Sequence, residues 1–150
     1  MKRVDLAEHA EHAEEGVRIV SGDRRPAILV DLPIATKSPN RIRGFSRGAM
    51  MGIHAERARV RDLARALTLR MMGLAKLTSA DLVPARVTFT RISAGTLDLD
   101  NCIASLKNCQ DGVCKAIGVD DGDRAAVEFK YEQRKGKKGQ PAVHVLIERR

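Results

Sequence analysis

The apolar residues of this chain recur with two different periods. Ala27-Ile28-Leu29-Val30-Asp31-Leu32 is a short β-rich run closed by Pro33, which predicts a first buried strand. Over residues 49–75, Ile53, Val60, Leu63, Leu67, Met71 and Leu74 recur at the spacing of one helix face. Ser79-Ala80-Asp81 marks a turn, and Pro84 opens a second strand in which Val87, Phe89 and Arg91 alternate with Arg86, Thr88 and Thr90. A second helix is predicted from Leu99 to Ile117, with Leu99, Ile103, Leu106, Val113 and Ile117 as its apolar stripe and Gly118 as its stop. A third strand runs from about Arg124 to Gln133, with Val127, Phe129 and Tyr131 on one face. A fourth strand, Ala142 to Glu148, is expected to pair back on it through a basic hairpin turn, Lys135-Gly136-Lys137-Lys138-Gly139. The order β-α-β-α-β-β predicts an α/β sandwich with a mixed four-stranded sheet and two main helices.

A different pattern precedes this. Asp5 to Glu15 reads as a short polar helix with Ala-Glu-His repeats and an acidic bias from Glu8, Glu11, Glu14 and Glu15. His9 and His12 are spaced so that one helix face could hold a metal; a solvated acidic appendage is the simpler reading. Gly16 and Ser21-Gly22-Asp23 break this segment from the rest of the chain. The 150 residues therefore divide into an acidic N-terminal extension, 1–25, and one domain, 26–150.

Charge changes the picture. The formal net charge is +8, which points to an anionic partner, most often nucleic acid. With 3% aromatic residues and no Trp, the composition argues against single-strand binding by a row of stacked bases. No apolar run approaches a transmembrane span, so no membrane partner is expected. Met1-Lys2-Arg3-Val4-Asp5 continues into polar sequence and not an apolar signal region, which predicts a cytoplasmic protein. Cys102, Cys109 and Cys114 form neither a disulfide framework nor a zinc spacing and are read as small core hydrophobes or thiols. Met50, Met51, Met71 and Met72 are read as packing residues.

The positive charge is concentrated. Thr36 to Gly44 is a loop by composition and carries Lys37, Arg41 and Arg43, followed by Arg47. Such a loop either is simply solvated or contacts phosphates, and the overall charge favours phosphates. Arg57, Arg61 and Arg65 share a helix face that is either solvated or part of a DNA track.

Against this background two acidic clusters stand out. Asp98-Leu99-Asp100-Asn101 and Val119-Asp120-Asp121-Gly122-Asp123 flank the second helix. Asp98 and Asp100, if extended, point the same way and can share a divalent cation, with Asn101 capping the helix start. Mg²⁺ takes few protein carboxylates and completes its shell with water and substrate phosphate. On a helix wound from Asp100, Ala104, Lys107 and Asp111 fall within about 40° of that residue. Lys107 is therefore placed either to meet a phosphate or to pair with Asp111 at i,i+4. The blander reading of the clusters is helix caps and an Asp-Gly turn. Taken together with the basic surround, they point to metal-dependent phosphodiester hydrolysis.

At these residues the chain resembles a known family. Asp98-Leu99-Asp100-Asn101, Lys107, Asp111-Gly112, Gly118-Val119-Asp120-Asp121 and the closing strand are similar to the RusA family of Holliday junction resolvases of phage and prophage origin. Leu32-Pro33 through Pro39-Asn40, with Arg41 and Arg43, resembles that family's first strand and loop. The likeness covers about residues 27–149; Asp-x-Asp-Asn is its specific part. It implies a homodimer that binds four-way or branched DNA and makes paired, Mg²⁺-dependent nicks. Carried over, the essential carboxylates are Asp98, Asp100 and Asp121, which would hold the metal, and Lys107 is the assisting lysine. Asp120 and Asp123 are neighbouring alternatives to Asp121. Lys37, Asn40, Arg41, Arg43, Arg47, Lys135, Lys137 and Lys138 are the expected DNA contacts. One departure is plain: the family's lysine commonly follows the second Asp by four residues, where this chain has Ala104. Two other functions fit the same residues, a non-catalytic DNA-binding architectural protein and a flap or branched-DNA nuclease.

Overall fold

The computed structural model describes residues 25–38 and 46–150; the segment bearing His9 and His12 lies outside them. The elements are β1 (Ala27–Leu32), α1 (Arg47–Leu74), α2 (Ser79–Leu82), β2 (Ala85–Ser93), α3 (Leu99–Ile117), β3 (Val127–Lys135) and β4 (Ala142–Arg149). The strands form one mixed sheet in the order β1-β4-β2-β3. β4 is antiparallel to both β1 and β2, and β2 is parallel to β3. Among the described residues, no helix is long and apolar enough to cross a membrane.

Local chemistry sets the helix ends. Ser46 Oγ accepts from the Ala49 N–H at 3.2 Å and starts α1. Asp98 starts α3, and Gly118, at φ 71°, ends it in the left-handed conformation that glycine adopts without steric cost. The turn expected at Ser79-Ala80-Asp81 is the single helical turn of α2. Thr78 and Asp81 close a capping box there, the Thr78 N–H donating to Asp81 Oδ2 at 2.7 Å.

The period-2 pattern of the strands becomes rows across the sheet. Ile28, Ile147, Val87 and Phe129 make one row; Val30, Val145, Phe89 and Tyr131 make the next. Both rows belong to the core that α1 and α3 complete. Residues of the other parity, such as Leu29, Leu146, Thr88 and Lys130, lie on the opposite face. α1 approaches α3 closely at Gly112, where an added Cβ would lie 2.2 Å from the Arg61 carbonyl oxygen. That close approach explains a glycine inside a helix, where it otherwise costs stability.

Three expectations are corrected. β3 and β4 do not form a hairpin, because β2 lies between them. The chain from Lys135 crosses the end of β2 before it returns as β4, with the Gly136 N–H donating to the Ser93 carbonyl at 3.0 Å. Burying β4 between β1 and β2 gives its apolar residues neighbours on both sides, which an edge hairpin would not. The stripe of α3 is also rotated: Cys102, Leu106, Cys109, Val113 and Ile117 are buried, whereas Leu99 is 64% exposed. Cysteines thus fill core positions, as read from the sequence. On α1 the core is Ala64, Thr68, Met71 and Met72, with Val60, Leu63 and Leu67 packed against it and Leu74 exposed.

Candidate functional site

Strand direction brings the candidate residues together. Because β4 runs opposite to β1 and β2, and β2 runs with β3, the strands β1, β2 and β3 all point the same way. Their C-terminal ends therefore deliver three connections to one edge of the sheet, the usual place for ligand sites in α/β folds. Lys37 follows β1, Asp98 and Asp100 follow β2, and Lys135, Lys137 and Lys138 follow or end β3. All four lysines are exposed. Arg47 is the exposed first residue of α1. Asn40, Arg41 and Arg43 lie outside the described residues.

Arg91 ties these connections together. It belongs to the core row Leu32, Val143, Arg91, Gln133 and is buried at 6% exposure. Its Nε donates to Thr36 Oγ1 at 2.8 Å, beyond β1, and its Nη1 to the Gly95 carbonyl at 2.8 Å, beyond β2. Nη1 also reaches Gln133 Oε1 at 3.4 Å, on β3. Gln133 in turn clasps Leu97, accepting from its N–H at 2.9 Å and donating to its carbonyl at 2.8 Å. Leu97 immediately precedes the acidic head of α3. A buried guanidinium with its donors shared between two connections and the strand β3 fixes their relative positions. Gly136 completes the crossing, since a Cβ there would lie 2.5 Å from Ile92 Cγ2.

At the head of α3 the two acids do different things. Asp98 is the N-cap: its carboxylate accepts from the Asn101 N–H at 2.9 Å and from Asn101 Nδ2 at 2.7 Å. Those bonds, the backbone one first, hold its carboxyl below the usual carboxylate range. Asp100 stands in the first turn, exposed, its carboxylate making no hydrogen bond or ion pair to any described residue. The two do not lie side by side on extended backbone, because helical winding begins at Leu99.

Lys107 and Asp121 form a second centre, farther along α3. Lys107 Nζ pairs with Asp111 Oδ1 at 2.8 Å and with Asp121 Oδ2. Of the three loop acids, only Asp121 turns towards α3. Asp120 accepts from the Gly122 N–H at 2.8 Å, and Asp123 from the Ala125 and Ala126 N–H groups at 3.0 and 3.1 Å. Asp111 and Asp121 together raise the Lys107 pKa, Asp111 contributing most, and Lys107 holds the Asp121 carboxyl below its usual range. Gln110 Nε2 donates to Asp121 Oδ2 at 3.4 Å, and the Tyr131 hydroxyl donates to Gln110 Oε1 at 2.5 Å. Nearby Cys114 is pushed up to about 12, chiefly by burial, and Cys109 likewise, so neither thiol is a ready nucleophile.

The structure thus joins Lys107 with Asp121 and sets the lysines and the pair Asp98 and Asp100 at the same end of the sheet. It does not gather Asp98, Asp100 and Asp121 into a cage. Lys107 lies seven residues beyond Asp100 on the helix, a rise of about 10 Å. Among the described residues, no three His, Cys, Asp or Glu side chains are close enough to hold a metal ion. The carboxylate set proposed from the sequence therefore does not fit a formed Mg²⁺ site in this conformation. Arg91, Gln133, Gln110 and Tyr131 are the residues that sequence reasoning passes over as site elements. Their signal is a polar group standing where the periodicity calls for an apolar one. Protein-family models give no match to this chain, and curated proteins give none either.

Proposed function

We propose that this chain is a structure-selective DNA endonuclease of the RusA kind, acting as a homodimer on four-way or branched DNA. One observation carries the reading. The exposed acids at the head of α3 and the lysines that follow or end β1 and β3 share one sheet edge, and Arg91 links the connections after β1 and β2 to β3. Lysines on such an edge neutralise phosphates and release counterions, which orients the DNA backbone against the acids. Asp100 is the acid free to act there, because Asp98 is held by Asn101. Lys107 would meet charge on the phosphodiester only from its place between Asp111 and Asp121. Mg²⁺ enters this reading through the family resemblance. A C2 dimer suits a substrate with two symmetry-related strands to cut.

The test is incubation of the full chain with Mg²⁺ and synthetic four-way, three-way and flap substrates. Paired symmetric nicks in the four-way junction are expected, and preferential cutting of the flap would make it a branched-DNA nuclease instead. The engagement of Asp98 and Asp121 with partners inside the chain favours one second reading, a non-catalytic DNA-binding module. That reading predicts junction binding indifferent to Mg²⁺ and no cleavage with any divalent ion.

A further inference from the structure

We infer that Gln110 and Tyr131 are positioning residues that aim the Asp121 carboxylate at Lys107. The inference rests on the nuclease reading only in treating Lys107 and Asp121 as functional groups. Gln110 is a buried amide, and a buried amide needs both its ends satisfied. Its Nε2 faces Asp121 and its Oε1 faces the Tyr131 hydroxyl. The carboxylate fixes that orientation, because a flipped amide would set two acceptor oxygens against each other. Tyr131 must then donate. Its ring is itself held, stacked on Phe89 at 6.0 Å between centroids and packed near Phe129 at 6.5 Å. Orientation therefore passes from a fixed aromatic ring on β3, through α3, to an acid on an irregular loop. Asp120 and Asp123, which bond only to their own loop, receive no such support.

Tyr131 also reports on the arrangement. It is the chain's one tyrosine, and there is no Trp, so near-ultraviolet absorbance follows a single phenol. Burial raises its ionisation first; Lys107 lowers it, Cys114 and Asp121 raise it, and Arg124 lowers it. The test is an alkaline absorbance titration of the full chain, below its unfolding transition, with Asp121→Asn and Lys107→Met. Asp121→Asn removes an anion and is expected to move phenol ionisation to lower pH; Lys107→Met removes a cation and is expected to move it higher. Coincident titrations of all three proteins would overturn the inference. In junction nicking, Gln110→Met is expected to lower the saturated rate about tenfold, the equivalent of one hydrogen bond, with junction Kd unchanged. Tyr131→Phe leaves the Gln110 amide able to donate to Asp121 and is expected to lose less. Nicking by Gln110→Met at the wild-type rate would overturn the positioning role. Absence of nicking by the wild type would sink the nuclease reading alone, and the opposed titration shifts would still place the Tyr131 hydroxyl beside the Lys107 and Asp121 charges that Gln110 bridges.

Discussion

Asp100 and Asp121 carry the same side chain into opposite surroundings. Asp100 stands exposed at the head of α3, at the same end of the sheet as Lys37, Lys135, Lys137 and Lys138, and its carboxylate bonds to no described residue. Asp121 is claimed by Lys107 and Gln110. The first region leaves the Asp100 carboxylate unmatched among the described residues. The second matches its charges internally, and a ligand would have to compete with the lysine already there. A cluster of acids in a sequence is thus two different things once folded.

The sharpest way to break this contrast is Asp100→Asn. Nicking of a four-way junction is expected to fall about a thousandfold, the scale of losing a group that acts on the transition state, with junction Kd within about twofold of wild type. Equal cutting would move the chemistry away from the head of α3. Next in size is the triple change of Lys135, Lys137 and Lys138 to Gln. Junction affinity should drop, and the slope of log K against log salt should shrink by about 0.9 for each phosphate no longer neutralised. A full-strength salt slope would place the DNA elsewhere. The Tyr131 absorbance titration should not move in this variant.

Arg91→Met tests the link between the connections rather than their charges. It leaves the Thr36 hydroxyl and the Gly95 carbonyl without their shared donor, and unfolding free energy should fall by about 2 kcal/mol in urea titration. Junction binding should weaken with it. Retained stability would mean the connections hold themselves.

The smallest effect belongs to Lys107→Met. Both partners are substantially exposed, so the pair with Asp121 contributes about 0.5 kcal/mol. Asp121's lowered pKa gives stability that is present above the ordinary carboxylate range and lost as pH falls through the lowered value. Lys107's raised pKa gives stability that is present below the ordinary lysine range and lost as pH rises through the raised value. The gap between wild type and variant should therefore be widest between about pH 5 and pH 10 and close on either side. A gap that keeps growing below about pH 4 would contradict the pairing.

Much of the fold is legible in the order of the amino acids. β1 runs over the residues its apolar pattern predicts, and α3 runs from Leu99 to Ile117 with Gly118 as its cap. Those features depend on local backbone preference and on periods shorter than a helical turn or two. The phase of the α3 stripe escapes a pattern built on leucine, isoleucine and valine, because cysteines, small and apolar, take core positions alongside them. The expected hairpin fails because turn chemistry does not say which strands become neighbours.

The sequence by itself determined the four strands and two main helices, the basic character and the two acidic clusters, since each comes from composition and short-range spacing. Tertiary structure alone decided that β1, β2 and β3 run parallel and so share one edge. It also paired Asp121, and not Asp120 or Asp123, with Lys107, and gave Arg91 and Gln110 their partners. Those outcomes depend on which buried faces meet, and residues far apart in the chain meet only after the core has formed.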